Sequence, residues 1–210
     1  MASLAVLRAN TLIYLGTTAA DKAFPAATLN MCLNNAVNAI LADIDETAPS
    51  WLELTITLTS TTQAYTLPAD FSKWQEVRLD DANGSSLTEV RSDELNATGG
   101  YAFALTGPDH AAILTTGSTI SAGNPLYLKY RAWPADLAAD ADQPDMIPRK
   151  FHDVIALVAA EEATALGGEG VLSPSLIRRQ VDRHAQLMMH VARRGTEIMS
   201  SRGSAFSQQD

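Results

Sequence analysis

The sequence predicts an α+β protein. A helical bundle, with two helices at the start of the chain and two at its end, carries an inserted small antiparallel β unit and finishes in an extended C-terminal tail. Three observations predict this. Apolar residues recur every three and four positions before Pro49 and again after Pro148, which is the period of a helix with one buried face. Between those prolines, period-two alternation and Gly, Asn and Asp turns take over, the pattern of short strands. Beyond Gly195 the apolar content drops and no period remains, as in segments that cannot bury a core of their own. The expected boundaries are 1–48 with 146–197 for one helical domain, 49–134 for the β domain, 135–145 for an acidic linker and 198–210 for the tail.

The first helix is expected from Ser3, a candidate N-cap, to Leu15, with Leu4, Leu7, Leu12 and Leu15 near helical spacing and Gly16 as its stop. Pro25 opens a second helix reaching about Asp43, whose Leu29, Leu33, Val37, Ile40, Leu41 and Ile44 share one face. Its other side carries Asn30, Asn34, Asn35 and Asn38, read as a solvated polar face in preference to a contact surface. From Trp51 to Thr59, Leu52, Leu54, Ile56 and Leu58 alternate with Glu53, Thr55, Thr57 and Thr59, a half-buried strand.

Tyr65 to Pro68 is extended, and Lys73 to Leu79 reads as a strand closed by the Asn83-Gly84 turn, with Leu87 to Val90 as its hairpin partner. Ser92 to Leu95 suggests one helical turn, and Tyr101, Phe103 and Leu105 begin a strand that Ala111 to Thr115 would pair across the turn at Gly107. The last strand, Leu126 to Trp133, sets Leu126, Leu128, Tyr130 and Ala132 on one face. Pro148 suits the first position of a helix whose stripe is Phe151, Val154, Ile155, Val158, Ala159 and Leu166, stopped at Gly167. Ser173-Pro174 repeats the cap signal for a final, arginine-rich helix.

Composition bounds the function. The chain has 210 residues and a formal net charge of -9. That balance excludes gripping nucleic acid through its phosphates, which needs a basic face, but suits a wall along which DNA slides without adhering. A lone Cys32 among apolar helical positions rules out an internal disulfide and reads as a buried, inert thiol. The apolar run after Arg8 is short and broken by Asn10 and Thr11, so no signal peptide is expected. No stretch approaches the roughly 20 apolar residues of a membrane span.

Candidate chemistry is sparse. Asp136, Asp140, Asp142 and Asp145 lack the glycine and the closing glutamate of a calcium loop, and Pro144 interrupts them. His110, His152, His184 and His190 form no ligand pair at helical spacing, and His152 is expected at a helix surface. Glu161 and Glu162 are sequence neighbours that point apart on a helix. The glycines at 167, 168 and 170 are followed by no Lys-Ser/Thr, so they end a helix and do not cradle a phosphate. No cofactor, metal or catalytic residue is expected.

The order of these signals carries a resemblance. Tyr65-Thr66-Leu67-Pro68-Ala69-Asp70-Phe71, then Tyr130-Arg131-Ala132-Trp133-Pro134, the Asp-rich passage and Ile147-Pro148 opening an alanine-rich helix resemble the head-to-tail adaptor, or connector, proteins of short-tailed and related tailed bacteriophages. The resemblance implies a structural virion protein with no enzymatic activity: a homo-oligomeric, dodecameric ring joining the portal vertex of the head to the tail and lining the DNA channel. Its implied partners are the portal protein, further copies of itself, a downstream tail or nozzle protein, and genomic DNA passing without sequence-specific binding, with no membrane. Its implied place is the head–tail junction of the virion, assembled in the host cytoplasm.

The tail residues Ile198, Met199, Arg202 and Phe206 are the candidates for portal docking. Two complementary patches are needed to close a ring, and the acidic helix (Asp153, Glu161, Glu162) and the basic one (Arg178, Arg179, Arg183) are the candidates between subunits. The alternatives are a tail-completion or other tail component that does not contact the portal and, more weakly, a small hydrolase.

Overall fold

The computed structural model describes residues 2–17, 24–79, 84–97, 100–106, 113–167 and 172–206, with side chains described as far as Arg194. The chain divides into two compact units, a helical one (1–51 with 136–210) and a β one (52–135).

In the helical unit, α1 (Leu4–Tyr14) buries Leu4, Leu7 and Leu12. The Ser3 side chain makes no cap bond. Instead the first free N–H groups of the helix, those of Leu4 and Ala5, donate to the backbone carbonyls of Asp142 and Asp140 at 2.8 and 3.2 Å. Helix N-termini must find acceptors somewhere, and here the acidic stretch provides them from the far end of the sequence. The helix α2 (Ala26–Thr47) runs past its expected end and buries all six positions of its apolar face, Leu29 through Ile44. Each such burial is worth about 1.5–3 kcal/mol.

The helix α3 (His152–Gly167) follows a 3-10 turn at Arg149–Phe151. Phe151, Val154, Ile155 and Ala159 are buried as expected, but so are Ala156, Leu157, Ala160 and Ala163, while Leu166 is exposed. This helix is therefore not striped. It is the central one, packed on by α1 and α2 and by α4 (Pro174–Phe206), and a helix surrounded by others is apolar on most sides. The 3-10 turn also rotates His152 inward, so its expected surface position is corrected: it is buried, and its Nε2 lies 2.8 Å from the Ile147 carbonyl. At α4 the Ser173 cap is present, its Oγ accepting from the Leu176 N–H at 3.4 Å, with Pro174 as the first helical residue. The extended tail expected from 198 does not begin there, because α4 continues as helix through Phe206. No proline interrupts 195–206, and Gly195 and Gly203 cost only about 1 kcal/mol each in a helix already propagating.

The β unit has two sheets. In the first, β1 (Glu53–Leu58) and β3 (Phe71–Leu79) flank β7 (Leu126–Ala132), all antiparallel. Burial alternates along β7, with Leu126, Leu128, Tyr130 and Ala132 inside. The edge strand β1 buries Leu58 but leaves Leu54 exposed. The second sheet has the order β2 (Ala64–Thr66), β6 (Ile113–Thr116), β5 (Ala102–Thr106), β4 (Thr88–Glu89). Strands β5 and β6 pair as expected, Leu105 opposite Leu114. The turns at 80–83 and 107–112 lie outside the described residues.

One pairing differs from expectation. The hairpin partner of β3 is present at 85–87, where Leu79 N–H donates to Ser85 and Leu87 N–H to Val77. The chain then leaves, and β4 pairs parallel with β5, so the unit is mixed and not purely antiparallel. Val90 packs on the small cluster of Leu95, Ala102 and Ala104, and Trp74 Nε1 donates to Glu89 at 2.9 Å. The Val90 packing draws 88–90 to the second sheet, while the Trp74 bond keeps Glu89 tied to β3 of the first.

Candidate functional site

Among the described residues no group of three or more His, Cys, Asp and Glu could hold a metal ion. Two of the clustered aspartates serve the fold. The Asp142 carboxylate accepts the N–H groups of Ala138 and Ala139 at 2.8 and 2.7 Å, which holds it below the usual carboxylate range. Asp140 pairs with Arg8. Burial, with Glu162 adding, pushes the Cys32 thiol up, so the thiolate is disfavoured. Among the described residues no helix is long and apolar enough to cross a membrane.

The asparagine-rich side of α2 is a clamp and not a solvated face. Asn34 Nδ2 donates to the Leu137 carbonyl at 3.2 Å, and its Oδ1 accepts the Leu137 N–H at 2.8 Å. Asn35 donates to Glu162 of α3 at 2.5 Å. The carboxamide is the one small side chain that presents a donor and an acceptor side by side, so Asn34 grips both backbone groups of one residue in the acidic stretch. Sequence reasoning ranked a contact surface second and missed the partner. The available signal was the i, i+4, i+8 row of Asn30, Asn34 and Asn38, too regular for a random solvated face.

The charged residues named between subunits are partly engaged within the chain. Arg183 donates from Nε and Nη2 to the two Asp153 oxygens at 2.9 and 2.8 Å, which raises its already high pKa. Arg179 stands 3.5 Å from the same carboxylate. Gln180 donates to Glu161 at 2.7 Å, and Glu162 takes the Asn35 bond. Arg178 is exposed. For Ile198, Met199, Arg202 and Phe206 the backbone is helical; their side chains lie outside the described residues.

In the β unit the two sequence stretches that carry the resemblance meet. Tyr130 Oη donates to the Asp70 carboxylate at 3.1 Å, and the Trp133 N–H donates to the Asp70 carbonyl at 2.7 Å. The Phe71 and Tyr130 rings stack with centroids 5.8 Å apart. Burial, and then the Asp70 charge, push the Tyr130 hydroxyl up to about 12. Tyr65 is buried with its hydroxyl donating to the Asn124 carbonyl at 2.6 Å. The motif residues therefore fix the turn after β2 to the end of β7.

The exposed surface of the helical unit also carries apolar rows. On α1, Val6 (45% exposed), Ala9 and Ile13 (68%) form one row. On α4, Ile177, Val181 (61%), Ala185 and Met189 (55%) form another. The α4 row borders a groove between α2 and α4, floored by Val158 and lined by Ala39, Ile40, Asp43, His184 and Ala185. His184 Nε2 and Asp43 lie 3.0 Å apart across it.

Such rows belong to a protein that functions by docking, and the family comparison agrees. The family model for the SU10 adaptor protein matches residues 3–204. The chain belongs to the SU10 adaptor protein family. It is thus a bacteriophage adaptor, a structural component of the virion and not an enzyme. Comparison with curated proteins finds no match. Family membership gives the adaptor an interaction with other head or tail proteins, and its exposed helical rows are the surfaces on which to seek them.

Proposed function

We propose that this adaptor forms a closed, dodecameric ring that joins the portal vertex to the tail and lets genomic DNA pass through its lumen. The observation that carries the reading is the length of α4. At 33 residues against 22 in α2 and 16 in α3, and with a rise of about 1.5 Å per residue, it spans about 50 Å against about 33 and 24 Å. A helix that outruns its partners this far makes an arm, and its distal end carries Ile198, Met199, Arg202 and Phe206, which we assign to docking on the portal. The amphipathic helix-in-groove mode of recognition fits such an arm.

The net charge of -9 supports an acidic lumen that DNA passes without adhering. With Asp153, Glu161, Glu162, Arg179 and Arg183 held by partners within the chain, Arg178 is the first of the charged candidates for contact between subunits. The downstream face of the ring receives a tail or nozzle protein. The ring takes its place at the head–tail junction during assembly in the host cytoplasm.

Native mass spectrometry of the protein, alone and after mixing with the portal protein of the same phage, tests the reading. Addition of a full ring to the portal is the expected result, and truncation after Gly195 should abolish it. A protein that leaves the portal unloaded removes the portal assignment and leaves a tail component that binds elsewhere, whereas a truncated chain that still loads removes only the docking role of the segment after Gly195.

A further inference from the structure

The two exposed apolar rows lie on different helices of one unit, and neither is explained by the fold of a single chain. We infer that they are the two halves of one interface: the α1 row of one copy (Val6, Ala9, Ile13) seats in the α2–α4 groove of the next, against Val181, Ala185 and Met189. This deepens the ring reading and rests on it, since it names the surfaces through which the ring closes.

Four observations support a second copy as the occupant. The surfaces differ, one a ridge and the other a groove, so the contact is head-to-tail, the type that propagates around a ring in place of stopping at a dimer. Their lengths match. Val6 to Ile13 spans about 10 Å of helix and Val181 to Met189 about 12 Å. Their relief also matches: the small Ala9 sits mid-ridge, and the groove is rimmed by the small Ala39 and Ala185, so two helix backbones can approach closely and interdigitate. Finally, charge is complementary along the rim. The Asp140 carboxylate, paired with Arg8 through one oxygen but 76% exposed, stands beside the α1 row, and the exposed Arg178 stands beside the α4 row.

The contact is small. A stable pairwise interface buries about 800 Å² per partner, and six side chains, two of them alanine, fall short of that. Copies therefore hold together weakly in pairs and persist once a template aligns them, where closure lets every contact act together.

The test uses cross-linking between copies. Cys32 is fully buried, so a maleimide reaches only introduced thiols. Full-length Ile13→Cys and Val181→Cys chains, both exposed positions, are mixed, assembled on the portal and treated with a short bis-maleimide. Native mass spectrometry of the same sample reports whether a ring has formed. The expected result is a cross-linked dimer only in the mixture, and a ladder up to ring size for the double variant. Cross-linking of Val181→Cys with itself would overturn the inference in favour of an α4–α4 contact. A full ring with no cross-link would overturn it while leaving the ring reading intact. The absence of any oligomer, with the wild type behaving the same way, would remove both.

Discussion

Substituting Asn34 by alanine should detach the 136–145 stretch from α2. The carboxamide makes two hydrogen bonds, of 2.8 and 3.2 Å, to the N–H and carbonyl of Leu137, a residue that is itself buried. Truncation leaves both backbone groups without partners, and each stranded buried group costs about 1–3 kcal/mol. The flanking Ala138 and Ala139 are exposed, so water reaches part of the gap, and the sum should fall at about 2–3 kcal/mol. At about 3–4 °C per kcal/mol for a unit of this size, the melting temperature of the helical unit should drop by about 6–12 °C.

Asn34→Asp separates the hydrogen-bond account from simple packing. It keeps the acceptor for the Leu137 N–H but sets a second carboxylate oxygen against the Leu137 carbonyl, so it should cost at least as much as alanine above its pKa and less when protonated. Asn35→Ala, which loses one exposed bond to Glu162, is the control and should cost under about 1 kcal/mol. Thermal melts followed by circular dichroism, with hydrogen exchange read at the Leu137 amide, supply the measurements. Asn34→Ala no more destabilising than Asn35→Ala, or an unchanged Leu137 exchange rate, would refute the clamp.

Two further outcomes follow from the β unit. Because the Tyr130 hydroxyl is raised from about 10 to about 12 by burial and the Asp70 charge, the unfolded chain releases this proton first as pH rises. The stabilisation is then complete below pH 10 and is lost between about 10 and 12; base titration of wild type and Tyr130→Phe should show that the variant lacks this part of the alkaline loss. Gly117→Ala would place its Cβ 2.9 Å from the Leu95 carbonyl oxygen, so backbone must shift, at about 1–3 kcal/mol; a melting temperature equal to wild type would show that the 91–97 turn gives way freely.

How much of this was legible in the sequence follows from the range over which each interaction acts. The apolar face of α2 was legible in all but the small Ala36, because Leu29 through Ile44 repeat at the helical period and burial of that face is a local property of the helix. The alternation in β7 was legible for the same reason, as was the Ser173-Pro174 start of α4, a cap completed within three residues. The resemblance motifs were legible as landmarks, although their purpose, tying Asp70 to Tyr130 and Trp133, was not.

What sequence reading missed are partnerships between distant segments. Asn34 and Leu137 are 103 positions apart, and neither residue type signals the other. The acceptors that cap α1 come from Asp140 and Asp142, so the local candidate Ser3 was the wrong place to look. The stripe assigned to α3 was too narrow because the sequence cannot show that one helix is surrounded by three. The same limit hid the adaptor's exposed rows. Val6 and Ile13 are ordinary apolar helix residues in the sequence, and only the packed bundle shows that Leu4, Leu7 and Leu12 already fill the inner face of α1. A single apolar residue outside the core is ordinary, but a row of them on one helix face marks a surface that another protein can cover. In a family whose members work by docking to other virion proteins, that surplus is where a neighbour's surface should be sought.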